Sequence, residues 1–155
     1  MPIEKSAGAV IFYKNKEIEY LLLHYPGSAN KTKPACRRGR DYWDFPKGHI
    51  EKGETEIETV KREVFEETGL KDIEIIPGFK TSIKYFFQKE GKKIFKIVVF
   101  YLAKANTKEV KISFEHIGFI WLPFDKAVEV VTYKNAKEVL KKAHNFLEAS
   151  RKKVK

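Results

Sequence analysis

Short apolar runs separated by polar turns fill much of the chain and predict a protein rich in β-strands. The runs 6–13 and 18–24 flank the turn Lys14-Asn15-Lys16, a pattern that predicts a β-hairpin. Further strands or extended segments are predicted at 42–47, 73–76, 79–87, 94–103 and 118–122. The run 94–103 is apolar at consecutive positions, which is typical of a central strand that is buried on both faces. Lys47-Gly48-His49 is expected to form a turn.

The segment 55–68 has the pattern of an amphipathic helix. Thr55 and Glu58 have the spacing of a capping box, and Gly69 lies where a helix usually ends. The predicted core face of this helix consists of Ile57, Val60 and Val64, at i, i+3 and i+7.

Two further helices are predicted near the C-terminus, a short one after Pro123 and a long one from about Asn135. The buried stripe of the long helix is predicted to be Val139, Leu140, Ala143, Phe146 and Leu147. Strands with a few helices packed on them indicate an α/β fold, an α/β/α sandwich around a mixed β-sheet. A chain of 155 residues is the size of one compact domain, which we expect to span residues 1–155.

The charge of the chain leaves two interpretations open. Its 31 Lys and Arg against 21 Asp and Glu give a net charge of +10, which suggests a polyanionic partner. However, 26 of the basic residues are Lys, 17 of the acids are Glu, and Gln occurs once. Such a composition is equally typical of a heat-adapted, thermostable protein.

Cysteine content and hydropathy bear on the setting of the protein. Cys36 is the single cysteine, which excludes an intrachain disulfide framework and fits a reducing, cytoplasmic environment. No apolar run approaches the roughly 20 residues of a membrane span, and no secretory signal pattern follows Met1. We therefore expect a cytoplasmic protein without a membrane partner, acting as a monomer.

Two basic stretches stand apart from the rest of the chain. The segment 27–40 is predicted to be a loop, and its cations could close over a polyphosphate or could belong to a mobile surface loop. These cations are Lys31, Lys33, Arg37, Arg38 and Arg40. The tail 150–155 is expected to be a frayed, solvated helix end.

Three glutamates in the predicted helix indicate a metal site. Glu63, Glu66 and Glu67 lie at i, i+3 and i+4, so their carboxylates project from one side of the helix. Like charges at this spacing repel one another, whereas several carboxylates that converge on one point suit Mg²⁺ or Mn²⁺. Taken alone, however, the three residues favour a solvated glutamate-rich helix face.

The surrounding segment decides between these interpretations. Residues 48–70 fill every specified position of the Nudix box, G-x5-E-x7-R-E-U-x-E-E-x-G-U, in which U is a bulky aliphatic residue. The matching residues are Gly48, Glu54, Arg62, Glu63, Val64, Glu66, Glu67, Gly69 and Leu70. The sequence therefore resembles the Nudix hydrolases, which implies an α/β/α sandwich and hydrolysis of a nucleoside diphosphate linked to another group.

The resemblance also implies roles for the residues of the box. Glu63, Glu66 and Glu67 would bind divalent ions together with the carbonyl of Gly48. Arg62 would orient a glutamate, and Glu54 would support the loop before the helix.

Residues near the box resemble one group of Nudix hydrolases, those that cleave diadenosine tetraphosphate asymmetrically. The segment WDFPKGH, 43–49, places Lys47 and His49 beside Gly48. In EHIGFIW, 115–121, Glu115 would be an additional metal ligand or base. In GFKTSIKY, 78–85, and YKNAKEVL, 133–140, Tyr85 and Tyr133 would stack on adenine.

This resemblance implies attack of water next to one adenosine, with ATP and AMP as products. Lys47 would hold remote phosphates, with Lys80 or Lys96 as further candidates, and His49 would assist at the leaving phosphate. Either Glu63 or Glu115 would accept the proton of water. The structural alternatives are sheet packing for Tyr85, a hydrophobic staple for Tyr133, and ordinary loop residues at 115 and 116.

Two other functions remain as alternatives. The basic charge would suit an enzyme that removes pyrophosphate from the 5′-triphosphate end of RNA, although the P-K-G-H sequence favours the dinucleotide. A nucleotide-binding regulator without catalysis would usually have lost glutamates of the box, and all of them are present here.

Overall fold

The structure is a computed structural model that describes residues 2–27 and 40–153, with only the backbone of 152 and 153. Its strands are β1 (Ile3–Lys14), β2 (Ile18–Tyr25), β3 (Tyr42–Asp44), β4 (Lys47–His49), β5 (Glu74–Ile75), β6 (Thr81–Lys89), β7 (Lys92–Lys104) and β8 (Gly118–Pro123). Its helices are α1 (Glu56–Thr68), α2 (Phe124–Val130) and α3 (Lys134–Lys153).

The strands form one mixed sheet around β1 and β7. These two strands run parallel to each other over ten residue pairs, from Ile3 beside Phe95 to Phe12 beside Lys104. The hairpin partner β2 pairs with the distal end of β1, whereas β4 pairs with the part of β1 at Ser6–Gly8. The strands β6 and β5 pair with β7, and β3 and β8 pair with β2. The predicted hairpin and the central strand are therefore confirmed.

Alternate side chains of the sheet form two cores, one on each face. Val10 and Phe12 pack with α2 and α3, whereas Ala9 and Ile11 pack with α1. Because consecutive residues of a strand point to opposite faces, β1 can contribute to both cores. Helices on both faces of a mixed sheet make the α/β/α sandwich that the sequence predicts.

Two local predictions are wrong. Lys47-Gly48-His49 is not a turn but the short strand β4, because these residues pair with β1. Ile57 is not part of the core face of α1, since 39% of its surface is exposed. The buried residues of α1 are Thr59, Val60, Val64, Glu67 and Thr68.

The long C-terminal helix α3 is present as predicted and includes part of the basic tail. Four of the five residues of the predicted stripe of α3 are buried, and Phe146 is partly buried. The helix continues to Lys153, so residues 150–153 of the predicted tail belong to α3. Of the loop 27–40, only Gly27 and Arg40 are described, and the other cations named above and Cys36 lie outside the described residues. Within the described part of the chain, no helix has both the length and the apolar character needed to cross a membrane.

Candidate active site

The two ends of α1 fix the box glutamates in place. Thr55 Oγ1 accepts a hydrogen bond from the backbone N–H of Glu58 at 3.1 Å, and Glu58 Oε1 accepts one from the N–H of Thr55 at 3.0 Å. The predicted capping box is therefore confirmed. At the other end, Gly69 adopts a left-handed conformation with φ of 76°, and its N–H donates to the Phe65 carbonyl.

The three glutamates of α1 occupy different environments. Glu67 is buried, with 7% of its surface exposed, and it points towards the sheet. The side chain of Glu63 is 16% exposed and that of Glu66 is 54% exposed. The carboxylates thus extend from a buried site at Glu67 to solvent at Glu66.

Gly48 and Glu63 lie in direct contact. A Cβ atom at residue 48 would overlap with the carboxyl group of Glu63, so a larger side chain would displace that carboxyl group. Because β4 is paired with β1, the backbone of Gly48 cannot easily retreat from the helix. Glycine at position 48 therefore leaves the Glu63 carboxyl group in its place beside β4.

Arg62 connects the loop before α1 to the glutamates. Its Nε and Nη2 donate to the two oxygens of Glu54 at 2.7 and 2.9 Å. Nη2 also donates to the carbonyl of His49 at 3.0 Å, and Nη1 donates to Glu63 Oε1 at 2.8 Å and lies 3.3 Å from Glu66 Oε2. The hydrogen bonds from Arg62 lower the pKa of Glu54 to about 2. The planar guanidinium therefore holds the loop, β4 and α1 in one arrangement.

The Glu67 carboxylate is bound at both of its oxygens. Its Oε2 accepts the backbone N–H of Lys47 at 2.9 Å. Its Oε1 accepts the Tyr25 hydroxyl at 3.4 Å and lies 3.4 Å from Nε2 of His116. Burial nevertheless raises the pKa of Glu67, an effect only partly offset by His116 and Lys47. Burial and the nearby charges of Glu67 and Glu66 likewise raise the pKa of Glu63, against the effect of Arg62.

These carboxylates provide ligands that fit a divalent cation. Glu63 and Glu67 are partly or largely buried, and their raised pKa values indicate that the ionised forms are incompletely compensated. Carboxylate and carbonyl oxygens are the ligands that Mg²⁺ and Mn²⁺ prefer. In residues 2–27 and 40–153, no three His, Cys, Asp or Glu side chains are already arranged to hold an ion. Arg62 Nη1 instead contacts Glu63 and Glu66.

Lys47 places a cation beside the buried carboxylate. Its Nζ lies 3.4 Å from Asp44 Oδ2 and 5.7 Å from the ring centroid of Tyr25. Burial works to lower the pKa of Lys47, but the influence of Asp44, Tyr85 and Glu67 outweighs it, and the pKa is raised. The ammonium group therefore stays charged although only 19% of the side chain is exposed.

The predicted residues Lys96, Tyr85 and His49 lie with Glu4 on the same face of the sheet as Lys47. Glu4 pairs with Lys96, and Lys96 pairs with Tyr85, so the three side chains lie side by side across β1, β7 and β6. Glu4 Oε1 is 3.6 Å from Lys96 Nζ and 3.9 Å from His49 Nε2. Burial lowers the pKa values of Lys96 and His49, and the nearby charge of Lys96 lowers the pKa of His49 further.

A row of aromatic rings leads from Tyr133 to the glutamates. The ring of Tyr133 is 5.4 Å from that of Tyr42, and Tyr42 stacks on Tyr25 at 4.9 Å. Tyr25 in turn donates to Glu67. Tyr85 and Tyr133 are both partly buried and pack against the core between the sheet and α3. Tyr85 and Tyr133 thus border one face of the sheet and also contribute to the core beneath it.

Two predicted residues lie apart from this group. Lys80 Nζ is 2.9 Å from Glu56, which also binds Lys5 and Tyr101 on the side of the sheet that carries α1. Glu115 is exposed, and its backbone N–H donates weakly to Ser113 at 3.4 Å.

Several residues with direct contacts in the site were not predicted from the sequence, among them Glu4, which contacts Lys96 and His49. His116 and Tyr25 contact Glu67, and Asp44 contacts Lys47. His116 follows Glu115, which the resemblance marked as a metal ligand or base. The functional segment was therefore recognised in the sequence, but its role was assigned to the residue next to His116. Tyr25 and Asp44 are end residues of β2 and β3, and the strand pattern does not reveal their partners.

Comparisons with known proteins agree with this geometry. The NUDIX domain family model matches residues 2–143. The asymmetrical bis(5′-nucleosyl)-tetraphosphatase of Sus scrofa is 32% identical over 154 residues, covering 92% of this chain and 95% of the relative. The protein of the same name from Caenorhabditis elegans is 30% identical over 149 residues, covering 94% and 97% of the two chains.

A solved structure extends the similarity to the fold. The structure of a C. elegans Ap4A hydrolase binary complex superposes with a TM-score of 0.75 and a sequence identity of 29%. The match covers 94% of this chain and 98% of that one. The similarity therefore includes the strands and helices that surround the box as well as the box itself.

Proposed function

We propose that this chain, which belongs to the Nudix family, is an enzyme that hydrolyses diadenosine tetraphosphate to ATP and AMP. The observation that carries this proposal is the arrangement of the complete box beside the cations and tyrosines of the adjoining sheet face. Glu67 accepts the backbone N–H of Lys47, which joins the carboxylates to the residues that would bind polyphosphate. The similarity to tetraphosphatases over almost the whole chain supports this substrate class.

The proposed cofactor is Mg²⁺ or Mn²⁺. Glu63, Glu66 and Glu67 would hold the metal together with the carbonyl oxygen of Gly48, since they are hard oxygen ligands at one end of α1. When bound, the ions would neutralise phosphate charge and lower the pKa of water. Glu115 is left out of the proposed ligands because its neighbour His116, and not Glu115, contacts Glu67.

The residues of the chain would perform three tasks around the polyphosphate. Lys47 would bind phosphates that are remote from the reacting one, with Lys96 and His49 beside it, and thereby orient the chain for in-line attack. Glu63 would accept the proton of water, since it lies within the box against Gly48, whereas Glu115 lies in solvent. His49 would donate a hydrogen bond to the leaving phosphate.

The two tyrosines would bind adenine by stacking. Replacing Tyr85 with Leu should raise KM for diadenosine tetraphosphate about tenfold, because stacking on an aromatic contributes roughly 1–3 kcal/mol per base. The value of kcat should change little, and Tyr85→Phe should keep near-normal KM because it retains the ring. The matched control is Phe86→Leu, since Phe86 is the next residue of β6, is 54% exposed and lies on the opposite face. A normal KM for Tyr85→Leu in a folded protein would exclude Tyr85 from adenine binding.

Product analysis in ¹⁸O-labelled water tests the proposed reaction. The pure protein with Mg²⁺ would be incubated with diadenosine tetraphosphate, diadenosine triphosphate, ATP, 8-oxo-dGTP and triphosphorylated RNA. We expect equal amounts of ATP and AMP from the tetraphosphate, slow turnover of ATP, and the label in AMP. That labelling follows from attack at the phosphorus next to one adenosine, whereas label in ATP would place the attack one phosphate further along.

The same experiment distinguishes the alternative functions. Preferential release of pyrophosphate or phosphate from RNA would show that the substrate is the 5′ end of RNA and not the dinucleotide. Nucleotide binding without turnover of any member of the panel would indicate a regulator. The single cysteine supports a cytoplasmic setting, and the Lys and Glu content supports a thermostable fold. A monomeric state is the remaining part of the proposal. Fractionation, thermal unfolding and light scattering would test the three parts.

A further inference from the structure

His116 is a buried histidine that contacts the glutamate at the centre of the site. Its side chain is entirely inaccessible to solvent, and its Nε2 lies 3.4 Å from Glu67 Oε1. Its Nδ1 lies 2.9 Å from the hydroxyl oxygen of Ser113. The ring meets that of Tyr25 edge-on, with the centroids 4.5 Å apart. These three contacts restrain the imidazole in one orientation.

The contacts also determine which nitrogen carries the proton of the neutral ring. A bare Nε2 would direct its lone pair at the Glu67 carboxylate in a buried site, which would be repulsive, whereas Nε2–H would be attracted to it. Ser113 complements this tautomer, because its hydroxyl can donate to Nδ1 while its oxygen accepts the N–H of Glu115. The neutral ring therefore presents Nε2–H to Glu67.

Nε2 of His116 makes no aligned hydrogen bond with any group of the described residues, although Glu67 Oε1 is within 3.4 Å. A buried donor of this kind is normally paired. A small rotation of the Glu67 carboxylate towards His116 would complete the bond.

We propose that His116 is a positioning residue that holds Oε1 of Glu67 for metal binding. Lys47 fixes Oε2 through its backbone N–H, so His116 and Tyr25 determine where the other oxygen points. Hydrogen-bonding partners of metal ligands commonly set the affinity of a site without touching the ion. This inference rests on the proposed role of Glu67 as a metal ligand.

The test is the affinity of the substrate-free protein for Mn²⁺, measured by electron paramagnetic resonance. His116→Leu fills much of the same space without a donor and should bind Mn²⁺ about tenfold more weakly, in the range expected for loss of such a partner. His116→Gln can place an amide N–H near the position of Nε2 and should recover most of the affinity. The matched control is Phe114→Ala in the same loop, which should bind normally because Phe114 is 97% exposed.

A second variant covers the case in which His116→Leu does not fold. Ser113→Ala keeps the histidine but removes the hydroxyl that binds Nδ1, and it should weaken Mn²⁺ binding by a smaller factor. Thermal unfolding of each metal-free variant separates loss of the fold from loss of the site.

The outcomes separate this inference from the proposed function. Weak Mn²⁺ binding by His116→Leu with recovery by His116→Gln supports the positioning role. Normal Mn²⁺ affinity in folded His116→Leu, or equal weakening in the leucine and glutamine variants, overturns it while leaving the metal site intact. If the parent protein binds no Mn²⁺, or if Glu67→Gln binds it as the parent does, the proposed metal site fails and the inference fails with it.

Discussion

Glu67→Gln should lower kcat for diadenosine tetraphosphate by about a thousandfold and, at neutral pH, raise the melting temperature of the metal-free protein. The loss of activity follows from the loss of a carboxylate ligand, since metal stabilisation of a transition state is worth several kcal/mol and about 1.4 kcal/mol is a factor of ten in rate. The gain in stability follows from burial. Glu67 is 7% exposed and its pKa is raised, so its charge opposes folding when no metal is bound.

The pH dependence of this stability difference has a defined sign. Because the pKa of Glu67 is higher in the folded than in the unfolded protein, the folded state binds the proton more tightly. Below the unfolded pKa, both states carry a protonated Glu67, and the parent and Glu67→Gln should have similar stability. As pH rises through the folded pKa, the parent loses stability relative to the variant, and above it the difference is constant.

Thermal unfolding in the presence of a chelator, at a series of pH values, measures this difference. The control is Glu66→Gln, which neutralises a carboxylate on the same helix that is 54% exposed and should leave the melting temperature almost unchanged. Parent-like turnover by Glu67→Gln would show that the metal assignment is wrong. A lower melting temperature for metal-free Glu67→Gln would show that its hydrogen bonds outweigh the cost of its burial.

Arg62→Lys should lower kcat/KM about a hundredfold although the positive charge is retained. Arg62 binds both oxygens of Glu54, the carbonyl of His49 and the carboxylate of Glu63 at the same time. A lysine ammonium is a single point of charge and cannot span these groups, so the loop and Glu63 would lose their fixed relation. A hundredfold loss is the upper end of the range observed when a hydrogen-bonding partner of a metal ligand is replaced.

Steady-state kinetics and Mn²⁺ titration of folded Arg62→Lys provide the measurement, with both kcat and metal affinity expected to fall. Lys61→Arg is the matched control, since Lys61 is the preceding residue of α1 and is exposed. Near-parent kinetics for Arg62→Lys would mean that charge alone is required and that the fork geometry of Arg62 has no role in positioning Glu63.

Much of the fold could be predicted because its signals are local. The capping box at Thr55 and Glu58 and the helix end at Gly69 are properties of residues close together in sequence, and both are confirmed. The apolar run 94–103 predicts a central strand, and β7 has partners on both sides. The box likewise specifies its family because its residues are close in sequence, and the resemblance to the Nudix family is confirmed.

Errors arose where a pattern had to be placed in three dimensions. Ile57 follows the helical period of the core residues, but 39% of its surface is exposed. Lys47-Gly48-His49 has the composition of a turn, but long-range pairing with β1 makes it a strand. Periodicity and composition do not indicate which distant residues cover a segment or pair with it. Neither the exposure of Ile57 nor the strand β4 could therefore be predicted from the segments alone.

The sequence by itself therefore determined most of the elements, the family and the glutamates of the box, because each depends on residues that are neighbours along the chain. The tertiary structure alone decided which distant residues surround Glu67. It brings His116 and Tyr25 to this carboxylate from separate parts of the chain, and it pairs Lys80 with Glu56 instead of with the site. The physical reason is that burial and electrostatic contact depend on distances across the sheet, which are set only when β1, β2 and α1 pack together.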